Sequence, residues 1–273
     1  MLSCLSLLNE MKKLLEVMSQ LRDPAAGCPW DLAQDYRSIA PCTIEEAYEV
    51  VDAIERGDMD DLCDELGDLL FQVVFYAQIA KEEGRFDFAQ VAEKIAEKLI
   101  RRHPHVFDEA AIDNAQPHDH RLTWERIKAD ERREKGVATN KAEGVLNGVA
   151  VTLPALTRAV KLQKRAAHVG FDWPDIEQVL DKVQEELDEV REVLVQKQGD
   201  LRMRHEVGDL LQAVSNLARH AEIDPETALR EANQRFEHRF SHIEAQCVAQ
   251  GVTPQSSSLA SLEVMWVKAK LAE

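Results

Sequence analysis

The sequence predicts an all-α protein made of two similar helical halves. Its 11 glycines, 9 prolines and 5% aromatic residues are too few for a turn-rich β protein. Apolar residues recur every three or four positions along most of the chain, which is the spacing of amphipathic helices. Segments EEAYEVVDAIE and ELGDLLFQVVFYA of the first half have counterparts, EELDEVREVL and EVGDLLQAVSNLA, 140 to 141 positions later. The chain therefore contains an internal duplication.

The first half begins with a segment whose leucines and methionines follow helical spacing. Charged residues interrupt this segment, so it predicts an amphipathic helix and not a signal peptide. The segment ELGDLLFQVVFYAQIA is apolar nearly all round and predicts a buried helix, although it contains Glu65 and Asp68. The helices predicted for this half cover residues 4–21, 43–56, 58–83, 87–102 and 120–135.

A polar, glycine-containing stretch, EKGVATNKAEG, separates the halves and predicts a linker. The predicted domains are residues 1–136 and 150–273, joined by a linker at 137–149. Gly67 and Gly208 lie inside good helical patterns and predict close approach of a neighbouring helix. The helices predicted for the second half cover residues 154–168, 175–197, 200–221, 225–248 and 259–272.

The charge of the chain restricts its partners. Lys and Arg number 33 against 50 Asp and Glu, a net charge of -17, which disfavours nucleic acid and anionic membranes. No stretch has the 18 or so uninterrupted apolar residues of a membrane span. Five cysteines without a C-x-x-C pair argue against a disulfide framework and a zinc site, so we expect a cytoplasmic protein.

Acidic residues converge on single helix faces. Glu185, Glu186 and Glu189 fall within an arc of about 100°, which suits either a cation or a solvated acidic face. Glu186 and its counterpart Glu46 also lie within apolar arcs, so their carboxylates should face the interior. Two ionised carboxylates about 4 Å apart repel by roughly 4 kcal/mol at an effective dielectric constant near 20, so several of them need metal, a base or protonation. Ligands that are all oxygen favour Mg²⁺, with Mn²⁺ as a substitute.

The pattern E-E-x-x-E followed by E-x-x-D resembles the MazG family of nucleoside triphosphate pyrophosphohydrolases. The likeness extends over nearly the whole chain and includes DPAAGCPWD, RRHPHVF, KLQKRAAHVGFDW and NLARH. The resemblance implies duplicated, MazG-like helical bundles that form homodimers. It also implies hydrolysis of NTPs, and of dNTPs, between the α and β phosphates, and a role in nucleotide-pool housecleaning or stress-related nucleotide control.

The resemblance also implies roles for individual residues of the second half. The implied metal ligands are Glu186, Glu189, Glu206 and Asp209, and Glu185 would position or deprotonate the attacking water. The residues implied to bind substrate are Lys182, Arg202, Arg235, Arg239 and Lys270 at the phosphates and Trp266 near the base.

The first half repeats the acidic residues but not all of the cations. Cys42 stands in the place of Lys182, and Asp61 in the place of Arg202. Because a triphosphate carries about four negative charges, the first half should bind it less well, and the second half is predicted to be the main catalytic half. The weaker metal set of the first half is Glu46, Glu49, Glu65 and Asp68, and part of the basic set is repeated by Lys98, Arg102, Trp124 and Lys128.

Two other classes of function compete with this prediction. A di-iron carboxylate bundle would need Glu-x-x-His motifs, but the third residue after both Glu65 and Glu206 is aspartate. A non-catalytic module that senses nucleotides or binds proteins remains the alternative to the enzyme.

Overall fold

The computed structural model describes residues 4–107, Glu131 and residues 144–272. All regular structure in these residues is helical, which confirms the predicted all-α class. The predicted helix at 120–135 lies outside the described residues except for Glu131, as do Trp124 and Lys128.

The chain divides into two compact units, residues 1–134 and 135–273, and each is described by itself. The predicted linker at 137–149 lies partly outside the described residues, so the predicted domain bounds stay a prediction. Within the described part of the chain, no helix combines the length and apolar character needed to cross a membrane.

The N-terminal unit is organised around a long antiparallel hairpin, α3–α4. Gly57 ends the first helix in the left-handed region, at φ 70°, and the Asp58 side chain accepts a hydrogen bond from the Asp61 amide to begin the second. The first helix begins three residues earlier than predicted because the first turn of a helix accepts Pro41. The helices are α1 Cys4–Leu21, α2 Pro29–Leu32, α3 Ala40–Arg56, α4 Met59–Glu82, α5 Phe88–Arg102 and α6 Pro104–Phe107.

The core of this unit lies at one end of the hairpin. Met18 of α1 packs with Val74 and Phe75 of α4, and the buried residues of α4 begin only at Gln72. The first turns of α4 lack this cover, and Leu66 is 50% exposed. The prediction that ELGDLLFQVVFYAQIA is buried is therefore wrong for the residues before Gln72.

The C-terminal unit repeats the hairpin as α8–α9. Its turn contains Lys197 and Gly199, both with positive φ. A separate core joins Ile243, Cys247 and Met265 in the following pair of helices. The helices are α7 Ala155–Ala167, α8 Ile176–Gln196, α9 Asp200–His220, α10 Pro225–Ala249 and α11 Leu259–Leu271, with a 3-10 turn at Pro254–Ser256.

The two helical glycines do not lie against a neighbouring helix. A Cβ atom built on Gly67 or Gly208 would meet no atom within 4 Å, counting the described residues. Both glycines are on exposed positions of their hairpins. The predicted close approach is therefore wrong.

An ion pair fastens each hairpin to the segment before it. In the N-terminal unit, buried Arg22 donates to Glu82 Oε2 at 2.8 Å and to the carbonyl oxygens of Asp31 at 2.5 Å and Gln34 at 3.2 Å. We call this contact the Arg22 tie. Its position fixes the segment between α1 and α3 against the end of α4.

The C-terminal unit makes a similar connection with the charges exchanged, one turn earlier on its hairpin, because the counterpart of Arg219 in α4 is Gln78. Asp172, in the segment after α7, accepts from Arg219 Nη1 at 3.0 Å and lies 3.1 Å from His220 Nε2, both at the end of α9. Burial of Asp172 opposes its ionisation, but the hydrogen bonds from Arg219 and His220 outweigh this effect and lower its pKa. We call this contact the Asp172 tie.

Candidate active site

The hairpin α8–α9 brings the predicted metal ligands of the second half together. One carboxylate oxygen each of Glu186, Glu206 and Asp209 lies within 4.8 Å of the others. Glu186 is 6% and Glu206 2% exposed, whereas Asp209 is exposed. A hydrogen bond to Glu206, together with burial and the Glu186 charge, raises the pKa of Glu189. All four predicted ligands therefore belong to one set of interacting carboxylates, the C-terminal cluster.

The C-terminal cluster fits a divalent cation. Glu186 Oε2 is buried and has no hydrogen-bond partner among the described residues. A buried carboxylate oxygen without a partner is costly, and a hard cation satisfies it directly. Because the ligand atoms that this cluster offers are all carboxylate oxygens, the cluster suits Mg²⁺ or Mn²⁺ better than zinc.

Two predicted phosphate-binding residues lie against this cluster. Lys182 Nζ is 3.0 Å from Glu185 Oε1 and 2.8 Å from Glu186 Oε1, and these two carboxylates raise the pKa of the lysine. Arg202 Nε is 2.6 Å from Glu206 Oε1. Both cations come from one turn before their acidic partners, so helical spacing sets these contacts. In this structure they form ion pairs with Glu185 and with two of the predicted metal ligands, Glu186 and Glu206.

The N-terminal unit contains a second cluster at the equivalent place. Carboxylate oxygens of Glu46, Glu49 and Glu65 lie within 4.8 Å of one another. Burial and the charges of Asp68 and Glu49 raise the pKa of Glu46, and burial and the Glu49 charge raise that of Glu65. Asp68 is exposed and acts on the set through its charge. Glu46, Glu49 and Glu65 form the N-terminal cluster.

Sequence reasoning missed Gln72 in this second cluster. Gln72 is 6% exposed, and its Nε2 lies 3.5 Å from Glu46 Oε1. A signal was present in the sequence, because a glutamine one turn after Asp68 on an apolar helix faces the same side as the acids. The duplicated position in α9 is Ala213.

In the N-terminal unit, the residues that replace or repeat the predicted cations form ion pairs away from the acidic cluster. Asp61, which replaces Arg202, pairs with Arg56, and Arg56 also lies 2.7 Å from Asp52. Arg102, predicted as part of the basic set of the first half, lies 2.5 Å from Glu131 Oε2. In both pairs, a carboxylate of the N-terminal unit neutralises the charge of the arginine.

Comparison with known proteins bears on this duplicated arrangement. A family model described as the MazG nucleotide pyrophosphohydrolase domain matches residues 34–107 and 175–244. The chain belongs to the MazG family. Each MazG match contains one acidic cluster, whereas Trp266 and Lys270 lie beyond the second match.

Relatives of known name extend the similarity over almost the full chain. A nucleoside triphosphate pyrophosphohydrolase of Escherichia coli (strain K12) is 47% identical over 270 residues, which cover 97% of this chain and 99% of the relative. A protein of Thermotoga maritima named nucleoside triphosphate pyrophosphohydrolase/pyrophosphatase MazG is 40% identical over 95% of each chain. A nucleoside triphosphate pyrophosphohydrolase of Mycobacterium tuberculosis is 33% identical over 59% of this chain and 46% of its own length. The predicted MazG family and its enzyme class are confirmed.

The remaining predicted substrate residues of this MazG chain lie on α10 and α11. The Trp266 ring is 5.2 Å from the Phe236 ring, and the Arg239 guanidinium lies over Trp266 at 5.5 Å. Arg235 lies 3.8 Å from Glu231, and Lys270 is exposed. The structure thus assembles an aromatic and cationic surface. The resemblance implied its members Arg235, Arg239, Trp266 and Lys270, but sequence reasoning missed Phe236. The place of this surface beside a bound nucleotide stays a prediction.

Proposed function

We propose that the chain hydrolyses NTPs and dNTPs between the α and β phosphates, with Mg²⁺, to give the monophosphate and pyrophosphate. The observation that carries this proposal is the C-terminal cluster with its buried, unpartnered Glu186 oxygen. The names of the relatives support the reaction class.

Four residues would hold the cation in this proposal: Glu186, Glu189, Glu206 and Asp209. When bound, Mg²⁺ or Mn²⁺ supplies Lewis-acid neutralisation of the phosphate oxygens and acidifies a bound water. The low exposure of Glu186 and Glu206 keeps bulk water from competing at this end of the site.

Lys182 and Arg202 would turn from carboxylates to phosphates when substrate binds. Their side chains are 33% and 56% exposed, so both reach solvent while contacting a buried acid. A triphosphate offers them charge-assisted hydrogen bonds, and the cation takes over neutralisation of the acids. Release of Lys182 would also leave Glu185, 57% exposed, to orient the attacking water and accept its proton.

The surface on α10 and α11 would bind the base through Trp266 and further phosphate oxygens through its cations. Trp266, supported by Phe236, offers a ring for stacking against a base. Arg235, Arg239 and Lys270 supply positive charge on the same pair of helices.

We further propose that the chain works as a homodimer in the cytoplasm and controls nucleotide pools. The α8–α9 hairpin exposes a row of large apolar residues, and exposed apolar surface of this kind is typical of protein interfaces. The exposed residues are Leu187, Val207, Leu211 and Val214. Light scattering should give twice the mass of one chain, and a monomer at micromolar concentration would contradict the dimer.

Product analysis tests the proposed reaction. With Mg²⁺, ATP or dATP should give the monophosphate and pyrophosphate in equal amounts on ion-exchange chromatography, and EDTA should abolish turnover. Diphosphate and orthophosphate as products would contradict the cleaved bond. Nucleotide binding without products would favour the alternative, a non-catalytic nucleotide-sensing or protein-interaction module.

A further inference from the structure

Three aromatic rings lie side by side on the surface of α10 and α11. The Phe236 and Phe240 rings are nearly parallel, at 10° and a centroid distance of 6.1 Å, because the two residues lie one turn apart on α10. The Trp266 ring lies 5.2 Å from the Phe236 ring at an angle of 51°. Phe236 is therefore the middle ring. We call these three residues the aromatic row.

Packing of the C-terminal unit does not account for the exposure of this row. Trp266 is half-buried and packs against the core that contains Met265. Phe236, in contrast, is 56% exposed, and Phe240 is 38% exposed. Neighbouring aromatic rings that stay in contact with water form an apolar patch, and such a patch is typical of a place where a ligand or another protein binds.

Arginines accompany the aromatic row. The Arg239 guanidinium lies over the Trp266 ring, 5.5 Å from its centroid. Arg235 and Arg239 each immediately precede a phenylalanine of the row. Exposed rings together with guanidinium groups are the combination that binds nucleotides, because the base stacks on the rings and the phosphates accept charge-assisted hydrogen bonds.

The first half repeats the cations of α10 but not its phenylalanines. The side chains of Asp87 and Asp224 cap the N-termini of α5 and α10, which aligns the two helices residue by residue. In this alignment, Leu99 and His103 stand in the places of the two phenylalanines. The phenylalanines therefore occur in the half that is predicted to be catalytic, which indicates that they serve its activity and not the shared fold. The repeated cations are Lys98 and Arg102.

We propose that Phe236 is a second base-binding residue, next to Trp266, and that Phe240 holds the Phe236 ring in place. This proposal rests on the proposed function, because it assumes that a nucleotide binds to the C-terminal unit. Phe236 contacts the base and neither the phosphates nor the cation. The first half, with Leu99 in this place, then lacks a stacking ring as well as two of the cations.

Phe236→Leu tests this role by placing the residue of the first half into the second. The variant keeps an apolar side chain but loses the ring, so it should raise KM for ATP about tenfold with little change in kcat. Inorganic tripolyphosphate has the phosphates without a base, and its inhibition constant should be the same for the variant and the unaltered chain. An unchanged KM for ATP, or an equal rise in the inhibition constant of tripolyphosphate, would overturn the proposal.

Two further variants separate the ring from the position. Phe236→Tyr keeps an aromatic ring and should keep KM for ATP within about twofold of the unaltered value. Phe86→Leu makes the same change as Phe236→Leu at an exposed position of the N-terminal unit, and should leave KM unchanged. A rise in KM for Phe236→Tyr as large as that for Phe236→Leu would contradict stacking on the ring.

An interface between protein chains is the other use of an exposed aromatic row. Light scattering of Phe236→Leu separates this use from base binding. The mass should equal that of the unaltered chain while KM for ATP rises. A fall in mass with unchanged KM would assign the row to an interface and overturn the proposal.

Direct binding distinguishes failure of this proposal from failure of the proposed function. An unaltered chain that releases no pyrophosphate contradicts the proposed function, but equilibrium dialysis with ATP and with tripolyphosphate, both with Mg²⁺, still tests Phe236. Phe236→Leu should weaken ATP binding about tenfold and leave tripolyphosphate binding unchanged. Equal ATP binding by the two proteins would overturn the role of Phe236 even if hydrolysis is confirmed, and an unaltered chain that binds no ATP would overturn both proposals.

Discussion

The two halves of this chain share a hairpin and an acidic cluster but differ in what neutralises the acids. In the second half, Lys182 and Arg202 contact Glu186 and Glu206 directly. In the first half, Gln72 is the neighbour of Glu46, and Asp61 is paired with Arg56. Duplication thus preserved the carboxylates while two cation positions diverged, and we expect these cations to favour triphosphate binding in the second half.

The largest expected difference is between removing the inner carboxylate of each half. Glu186→Ala should reduce kcat/KM for NTP hydrolysis on the order of a hundredfold or more because it deletes a ligand of the proposed metal. Glu46→Ala should leave most of the activity. Steady-state pyrophosphate release from the two purified variants measures both effects, and equal losses would mean that both halves catalyse.

The same variant separates activity from folding. Removing Glu186 deletes a buried oxygen without a partner and relieves repulsion with Glu206 and Glu189, which offsets the lost Lys182 contact. The metal-free variant should therefore melt at the same temperature as the unaltered chain or higher. A large drop in its melting temperature would count against the metal-site interpretation.

The second prediction transfers the residues of the first half into the second. Lys182→Cys with Arg202→Asp should reduce kcat/KM on the order of a hundredfold, since each charge-assisted contact contributes roughly 1.5 to 3 kcal/mol. Arg191→Asp is the matched control, because Arg191 is an exposed cation of α8 paired with Asp188. Equal kcat/KM values for the double variant and the control would contradict the idea that Lys182 and Arg202 distinguish the two halves.

The third prediction concerns stability and the Arg22 tie. Arg22→Ala should lower the free energy of unfolding of the N-terminal unit by about 2 kcal/mol, because it leaves the carbonyls of Asp31 and Gln34 and the Glu82 carboxylate unpaired. Asp172→Ala should cost less, since it removes no buried partner of backbone carbonyls. Urea denaturation followed by circular dichroism compares the two.

The cost of Arg22→Ala should depend on pH in a defined direction. Hydrogen bonding from Arg22 lowers the pKa of Glu82 below its ordinary value of 4.5, despite partial burial. A lowered carboxyl pKa stabilises the fold above the unfolded-state pKa, and this contribution is lost as pH falls through the folded-state value. The difference in free energy of unfolding between the unaltered chain and Arg22→Ala should therefore be largest at pH 7 and shrink below about pH 4.5. A difference that grows as the pH falls would contradict the Arg22 tie.

The smallest effect is expected at Arg56. This side chain is 48% exposed, and exposed ion pairs contribute little. Arg56→Gln should change the free energy of unfolding by less than about 1 kcal/mol. A larger loss would show that its pairs with Asp52 and Asp61 support the hairpin turn.

Helical periodicity was sufficient to predict the four helices that form the two hairpins, and the resemblance to the MazG family implied the carboxylates Glu186 and Glu206. Periodicity could not tell where α4 becomes buried, because that depends on Met18 of another helix. It also could not place Gln72, whose importance comes from a contact across the hairpin. Helical spacing predicts neighbours within a helix, such as Lys182 and Glu186, better than neighbours between helices.

The exchanged polarity of the two ties has a consequence for how a duplicated chain folds correctly. Similar hairpins could in principle accept each other's preceding segment, which would entangle the two units. At the 141-residue offset of the hairpins, Arg219 corresponds to Gln78, so Glu82 lies one turn beyond the place that Arg219 has in α9. If the segment after α1 docked on α9, Arg22 would lie about one turn from Arg219, and if the segment after α7 docked on α4, Asp172 would lie about one turn from Glu82. Both wrong pairings place like charges near each other, whereas both correct pairings join opposite charges. The two ties thus favour docking of each hairpin with its own preceding segment and disfavour exchange of these segments between the two units.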